Sequence, residues 1–193
     1  FLFVRRSFQP RRRSTWYFFF LGAGFLLLET QMVSRLALYF GTTWVVNCIA
    51  LSAILLVLVA ANLYVERFHP RRLPIYFLLL IASLAGIYIF PWESLGSSAR
   101  VVGMLLSAAY SLPIFLAGVI FTEAFRRSEG RSPAFAANIF GAVAGGLAQS
   151  LSFILGMNAL LPIAAVLYLS AGLCSGFAPA GATAPAAGTL TAD

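Results

Sequence analysis

Six uninterrupted apolar stretches, at residues 16–40, 43–65, 73–92, 101–125, 134–156 and 158–177, constrain this chain more than any other feature. Each is long enough to form ~30 Å of α-helix at ~1.5 Å per residue, the thickness of a bilayer's hydrocarbon core. Hydrocarbon offers the backbone no hydrogen bonds, so a spanning segment closes its own as a helix. The runs are continuous and do not alternate as barrel strands do. Composition agrees. The chain is 61% hydrophobic and only 10% charged, against about 25% charged in soluble domains. The expectation is an all-α polytopic membrane helix bundle of about six transmembrane helices. Residues 16–177 form the bundle, 1–15 a basic segment before it, and 178–193 a flexible tail of Ala, Pro and Gly.

Charge sets the orientation. The net charge is +7, and all thirteen basic residues are arginine. Arg5, Arg6, Arg11, Arg12 and Arg13 precede the first run, Arg67, Arg71 and Arg72 follow the second, and Arg126, Arg127 and Arg131 follow the fourth. If six helices alternate, these eleven share one side, and only Arg100 lies in a loop on the other. Positive loops stay cytoplasmic, so both termini are expected there. Nucleic acid is not the expected partner, because the arginines punctuate apolar runs. The cluster around His69 is instead placed to meet anionic headgroups. His69 itself, the single histidine, reads as a solvated loop residue.

Several polar residues lie inside the runs. Glu29 is near the middle of the first, where a carboxylate must be protonated, paired or facing water. Arg35 is six residues on, about 120° around the helix, so the two do not pair along it, whereas Gln31 and Arg35 are one turn apart. A short connection at 40–43 folds the first two helices into a hairpin, which places Asn47 at the depth of Arg35 and makes it a candidate partner. Cys48 and Cys174 read as buried small hydrophobes.

The fifth run carries a stripe. Asn138, Gly141, Ala142, Gly145, Gln149, Ser152 and Gly156 recur every three or four positions and share one helix face. In lipid, small residues let backbones approach and amides need partners. Gly22, two turns before Glu29, suggests a similar approach on the first helix. The expected helix-packing residues are therefore Gly22, Gly141, Gly145, Gly146 and Gln149. The expected intramembrane polar residues are Glu29, Gln31, Arg35, Asn47 and Asn138. Sequence leaves open whether the stripe meets this chain or a foreign subunit.

Signs of chemistry are sparse. Gly22-Ala-Gly24 begins like a dinucleotide fingerprint, but Leu27 occupies the third glycine position and no strand precedes it. The one aspartate is Asp193, which excludes a Ser/His/Asp set. No spacing suits a metal. No catalytic residue, cofactor or metal is expected, and the chain is not expected to be an enzyme by itself.

Four motifs carry a resemblance. They are Gly22-Ala-Gly24-Phe-Leu-Leu-Leu-Glu29, Leu-Tyr-Phe-Gly41-Thr-Thr-Trp-Val-Val-Asn47, Leu-Pro113-Ile-Phe-Leu-Ala-Gly118-Val-Ile-Phe121 and Asn138-Ile-Phe-Gly141-Ala-Val-Ala-Gly145-Gly146. Over most of residues 16–170 the chain resembles the membrane region of bacterial spermidine-synthase-like proteins. In that family a helix bundle accompanies a methyltransferase-related, Rossmann-like domain. Gln149 stands where the family pattern leads one to expect an acidic residue. The resemblance implies an accompanying soluble domain, expected upstream if the apolar stub at 1–4 ends an earlier helix, and no catalytic residue carries over.

The leading expectation is a non-catalytic membrane scaffold domain or accessory subunit. Its small-residue faces would dock other membrane subunits, its own upstream domain, or a respiratory or photosynthetic complex. The alternatives are a small-molecule or ion carrier using Glu29 and Arg35, and the membrane half of a spermidine-synthase-like enzyme.

Overall fold

The longest helix, α1, runs Leu2–Phe40 and stands at the centre of the molecule. The computed structural model describes residues 2–41, 43–92, 98–128 and 131–175, with side chains from residue 14 onward. Around α1 are α2 (Trp44–Phe68), α3 (Leu73–Ile89), α4 (Ala99–Arg127), α5 (Arg131–Ala148), α6 (Ser152–Leu155) and α7 (Leu160–Cys174). A 3₁₀ turn at Gln149–Leu151 joins α5 to α6 in one rod, and a second at Met157–Ala159 leads into α7. No strand occurs among the described residues. The fold is an all-α membrane bundle of six helical rods. Five are long and apolar enough to cross a bilayer: Ser14–Phe40, Trp44–Phe68, Ala99–Arg127, Arg131–Leu155 and Met157–Cys174.

The sixth, α3, is shorter than its apolar run of 73–92. Its 17 residues make ~25 Å of helix, at the lower limit for a span. Its C-terminus comes early because Phe90 turns extended before Pro91, and Trp92 folds back to donate from Nε1 to the Ile87 carbonyl at 2.9 Å. The first span, Ser14–Phe40, agrees with its run of 16–40, and the helix itself extends back to Leu2 through the basic N-terminal segment. The tail expected at 178–193 lies outside the described residues.

Local chemistry sets the other ends. Gly41, at φ 93°, donates its N–H to the Ala37 carbonyl at 2.9 Å and stops α1 in the left-handed region that glycine tolerates. Thr43 opens α2, its hydroxyl oxygen accepting from the Val46 N–H. His69 closes α2, also left-handed at φ 47°, and its N–H reaches the Val65 carbonyl. Gly156, at φ 81°, ends the α5–α6 rod.

The packing order follows which helices bury their surface. In the most apolar 18-residue stretch of α1 56% of residues are buried, against 11% in that of the α5–α6 rod. α1 packs most extensively on α5, then on α7 and α4, and touches α2. α4 carries α2 and α3, and α3 closes onto α7. Leu28, Met32, Ile54, Leu80, Leu84, Tyr110, Ile114, Ile120 and Tyr168 fill the centre. Outside, Phe140, Phe153, Ile154, Leu55, Leu56 and Leu173 are exposed. Water would penalise that surface and lipid does not, so association inside rests on close packing and interhelical hydrogen bonds.

Candidate functional site

The α1–α5 seam is where backbones come closest. A Cβ built on Gly141 would lie 1.9 Å from the Phe19 carbonyl oxygen, and one on Gly145 would lie 2.2 Å from that of Ala23. The contact is reciprocal, because a Cβ on Gly22 would lie 2.1 Å from the Asn138 carbonyl oxygen. Such approach is open only to glycine, and it sets Cα–H groups against carbonyls in the way that recurs at tight helix crossings. Gly146 is looser, its nearest neighbour being the end of the Leu26 side chain. The stripe on the fifth run therefore packs on α1 of the same chain, and a foreign helix is not needed to cover it. Asn138 enters this seam chiefly through its backbone.

Beyond the glycines the seam turns polar. Gln149 donates from Nε2 to the Ser34 hydroxyl at 3.1 Å. Gln31, only 1% exposed, donates from Nε2 to the Met157 carbonyl at 2.8 Å. Arg35 donates to Asn158 Oδ1. The bonds of Gln31 and Arg35 tie the last turns of α1 to the break between α6 and α7, where 3₁₀ geometry leaves carbonyls free. The Tyr110 hydroxyl, from α4, faces Gln31 and Arg35 without completing a hydrogen bond. Among the described residues, Gln31 Oε1 and Arg35 Nε are likewise buried without partners.

Two sequence expectations change here. Asn47 is exposed, and the amide that meets Arg35 belongs to Asn158, at the foot of α7. Hairpin depth alone put Asn47 within reach, but α2 presents a different face to α1. Cys48 is exposed, not buried, whereas Cys174 is half-buried. Glu29 is half-buried, makes no hydrogen bond or ion pair among the described residues, and does not meet Arg35.

Sequence reading passed over Glu123. It is fully buried near the end of α4 and takes a bidentate contact from Arg126, at 2.9 Å (Nε) and 2.8 Å (Nη2), plus Nε of Arg127 at 2.6 Å. Arg127 also donates from Nη2 to the Pro70 carbonyl at 3.1 Å. This strut joins α4 to the α2–α3 connection. The signal was present as an acid three and four residues before two arginines; its burial was not legible. A second missed bond runs from the Thr122 hydroxyl to Asn62 Oδ1, between α4 and α2.

Below the strut lies a groove of about 490 Å³ between α2, α3 and α4. Tyr64, Tyr76, Arg71 and Arg72 line it together with Pro70, Ile75, Leu79, Phe115 and Leu116. The two tyrosine hydroxyls are hydrogen-bonded at 2.9 Å. Among the described residues no three His, Cys, Asp or Glu side chains converge as metal ligands would.

Neither protein-family models, nor curated proteins, nor solved structures match this chain. The likeness to spermidine-synthase-like membrane regions rests on the quoted motifs alone.

Proposed function

We propose that this chain is a non-catalytic membrane scaffold domain of a bacterial inner membrane, with its arginine-rich end cytoplasmic. The observation that carries this reading is the use made of the polar and small residues. Gly22, Gly141, Gly145, Gln149, Gln31, Arg35 and Glu123 are all engaged within the bundle, fixing α1 as a central post. A bundle cross-braced in this way suits holding another part in place. That part is either a soluble domain of the same gene product, as the motif resemblance implies, or a further membrane subunit. Because the α5 stripe faces inward, any partner meets the large apolar outer surfaces instead.

Native mass spectrometry of the full gene product released from nanodiscs tests this. A scaffold emerges with its soluble domain or a companion polypeptide in fixed stoichiometry, and Glu29→Gln leaves that stoichiometry unchanged. A solitary bundle with neither overturns the proposal.

One observation favours a second reading. Glu29 sits half-buried in a membrane helix without a partner among the described residues, which is the usual position of a coupling carboxylate. A carrier loses uptake in proteoliposomes on Glu29→Gln, and a scaffold has no uptake to lose.

A further inference from the structure

We propose that the groove between α2, α3 and α4 is a binding site for one anionic phospholipid, its phosphate on Arg71 and Arg72 and one acyl chain along Ile75, Leu79 and Phe115. The lining is graded in the required way. The arginine pair stands at the mouth, in the connection between α2 and α3. Ile75 and Leu79 follow on successive turns of α3, carrying the groove about 10 Å from Arg72 into the apolar zone. Phe115 and Leu116 of α4 close the far wall. A lipid has this sequence of parts over this distance, and a soluble anion does not.

Charge points to the same occupant. Among the described residues the ion pairs are those of Glu123 with Arg126 and Arg127, so Arg71 and Arg72 have no acidic partner. Glu66 is the nearest acid in sequence, but it is exposed on α2 and does not line the groove. Basic pockets between membrane helices on the cytoplasmic side recruit acidic headgroups. Tyr64 and Tyr76 meet the next part of the lipid. One hydroxyl proton is used in their mutual bond, which leaves the other free to donate to a glycerol ester carbonyl. The mouth is also held in place: Glu123 fixes Arg127, and Arg127 fixes the Pro70 carbonyl, one residue before the arginine pair. The site is therefore built before the lipid arrives, which lowers the ordering cost of binding.

The test uses the full chain in detergent with added dioleoyl phosphatidylglycerol or dioleoyl phosphatidylcholine, and native mass spectrometry to count retained lipids. Wild type is expected to retain one phosphatidylglycerol at least fivefold more tightly than phosphatidylcholine. Arg72→Gln is expected to weaken it about fivefold, the ~1 kcal/mol that one arginine gives near an acidic headgroup. Leu79→Trp, which fills the tail channel and leaves the charge alone, is expected to weaken it similarly. Arg131→Gln removes the same charge away from the groove and should change retention less than twofold. Excess inorganic phosphate should not displace the lipid. Equal retention of the two lipids, an Arg131→Gln effect as large as that of Arg72→Gln, or displacement by phosphate would each overturn the proposal.

Discussion

The α1–α5 seam and the α2–α3–α4 sector use opposite residue types. In the seam, Gly22, Gly141 and Gly145 bring main chain against main chain, and nothing fits between them. In the sector, Tyr64, Tyr76 and Phe115 hold the helices apart, and a groove remains. Both lie in apolar helices, and hydropathy does not distinguish them. Side-chain volume does. Lipid gives helices little hydrophobic reason to associate, so a seam closes only where backbones approach or polar groups bond. The sector closes at its arginine-rich end through the Glu123 strut and opens below it.

The sharpest way to break this contrast is to give the seam a large side chain. Gly141→Leu places carbon where the Phe19 carbonyl already stands. The main chain cannot yield as a side chain does, so a loss of about 3 kcal/mol or more is expected. It would be seen as a lower unfolding midpoint in detergent, with α5 newly open to protease. An unchanged midpoint would mean that α5 does not pack on α1 this way. Next in size is Glu123→Gln, which weakens the strut that closes the sector. Hydrogen bonds to charged groups put the cost at about 1.5 to 3 kcal/mol. Hydrogen exchange in the Pro70–Arg72 connection should rise, and that at the α5 seam should not.

Gln31→Leu is expected to cost less, about 1 kcal/mol. It removes the bond to the Met157 carbonyl and also the buried, unpartnered Oε1, and the two changes partly offset. Faster exchange confined to residues 157–160 would identify it. The smallest effect is expected at a glycine that packs against nothing. A Cβ on Gly86 of α3 would meet nothing within 4 Å. Gly86→Ala should therefore stabilise by about 0.5 to 1 kcal/mol, through helix propensity alone. If Gly86→Ala and Gly141→Leu both destabilise, glycine here acts through helix flexibility and not through close approach.

Much of the architecture is legible along the chain. Apolar length marks the spans, Gly41 and Gly156 mark stops, and the arginines gather in the connections expected of one side. α3 is misjudged because hydropathy continues through Ile89 and Phe90 while the backbone has already turned before Pro91. The stripe at Asn138–Gly156 is readable as a packing face, but its partner is not, since Gly, Ala and Ser specify how close a helix can come and not which helix comes. Arg35 makes the same point. Its depth admits Asn47 and Asn158 equally, and the orientation of α2 and α7 about α1 selects Asn158.

The sequence by itself determined that this chain is helical, crosses a membrane and segregates its positive charge, because hydropathy, helix length and loop charge are properties of contiguous residues. Tertiary structure alone decided that α1 is the central post, that the glycine stripe is spent on it, and that Glu123 braces the connection above the groove. Those outcomes depend on pairings such as Gln31 with Met157, 126 positions apart. In lipid, where burial scarcely discriminates between apolar faces, only the fit of particular surfaces fixes such pairings.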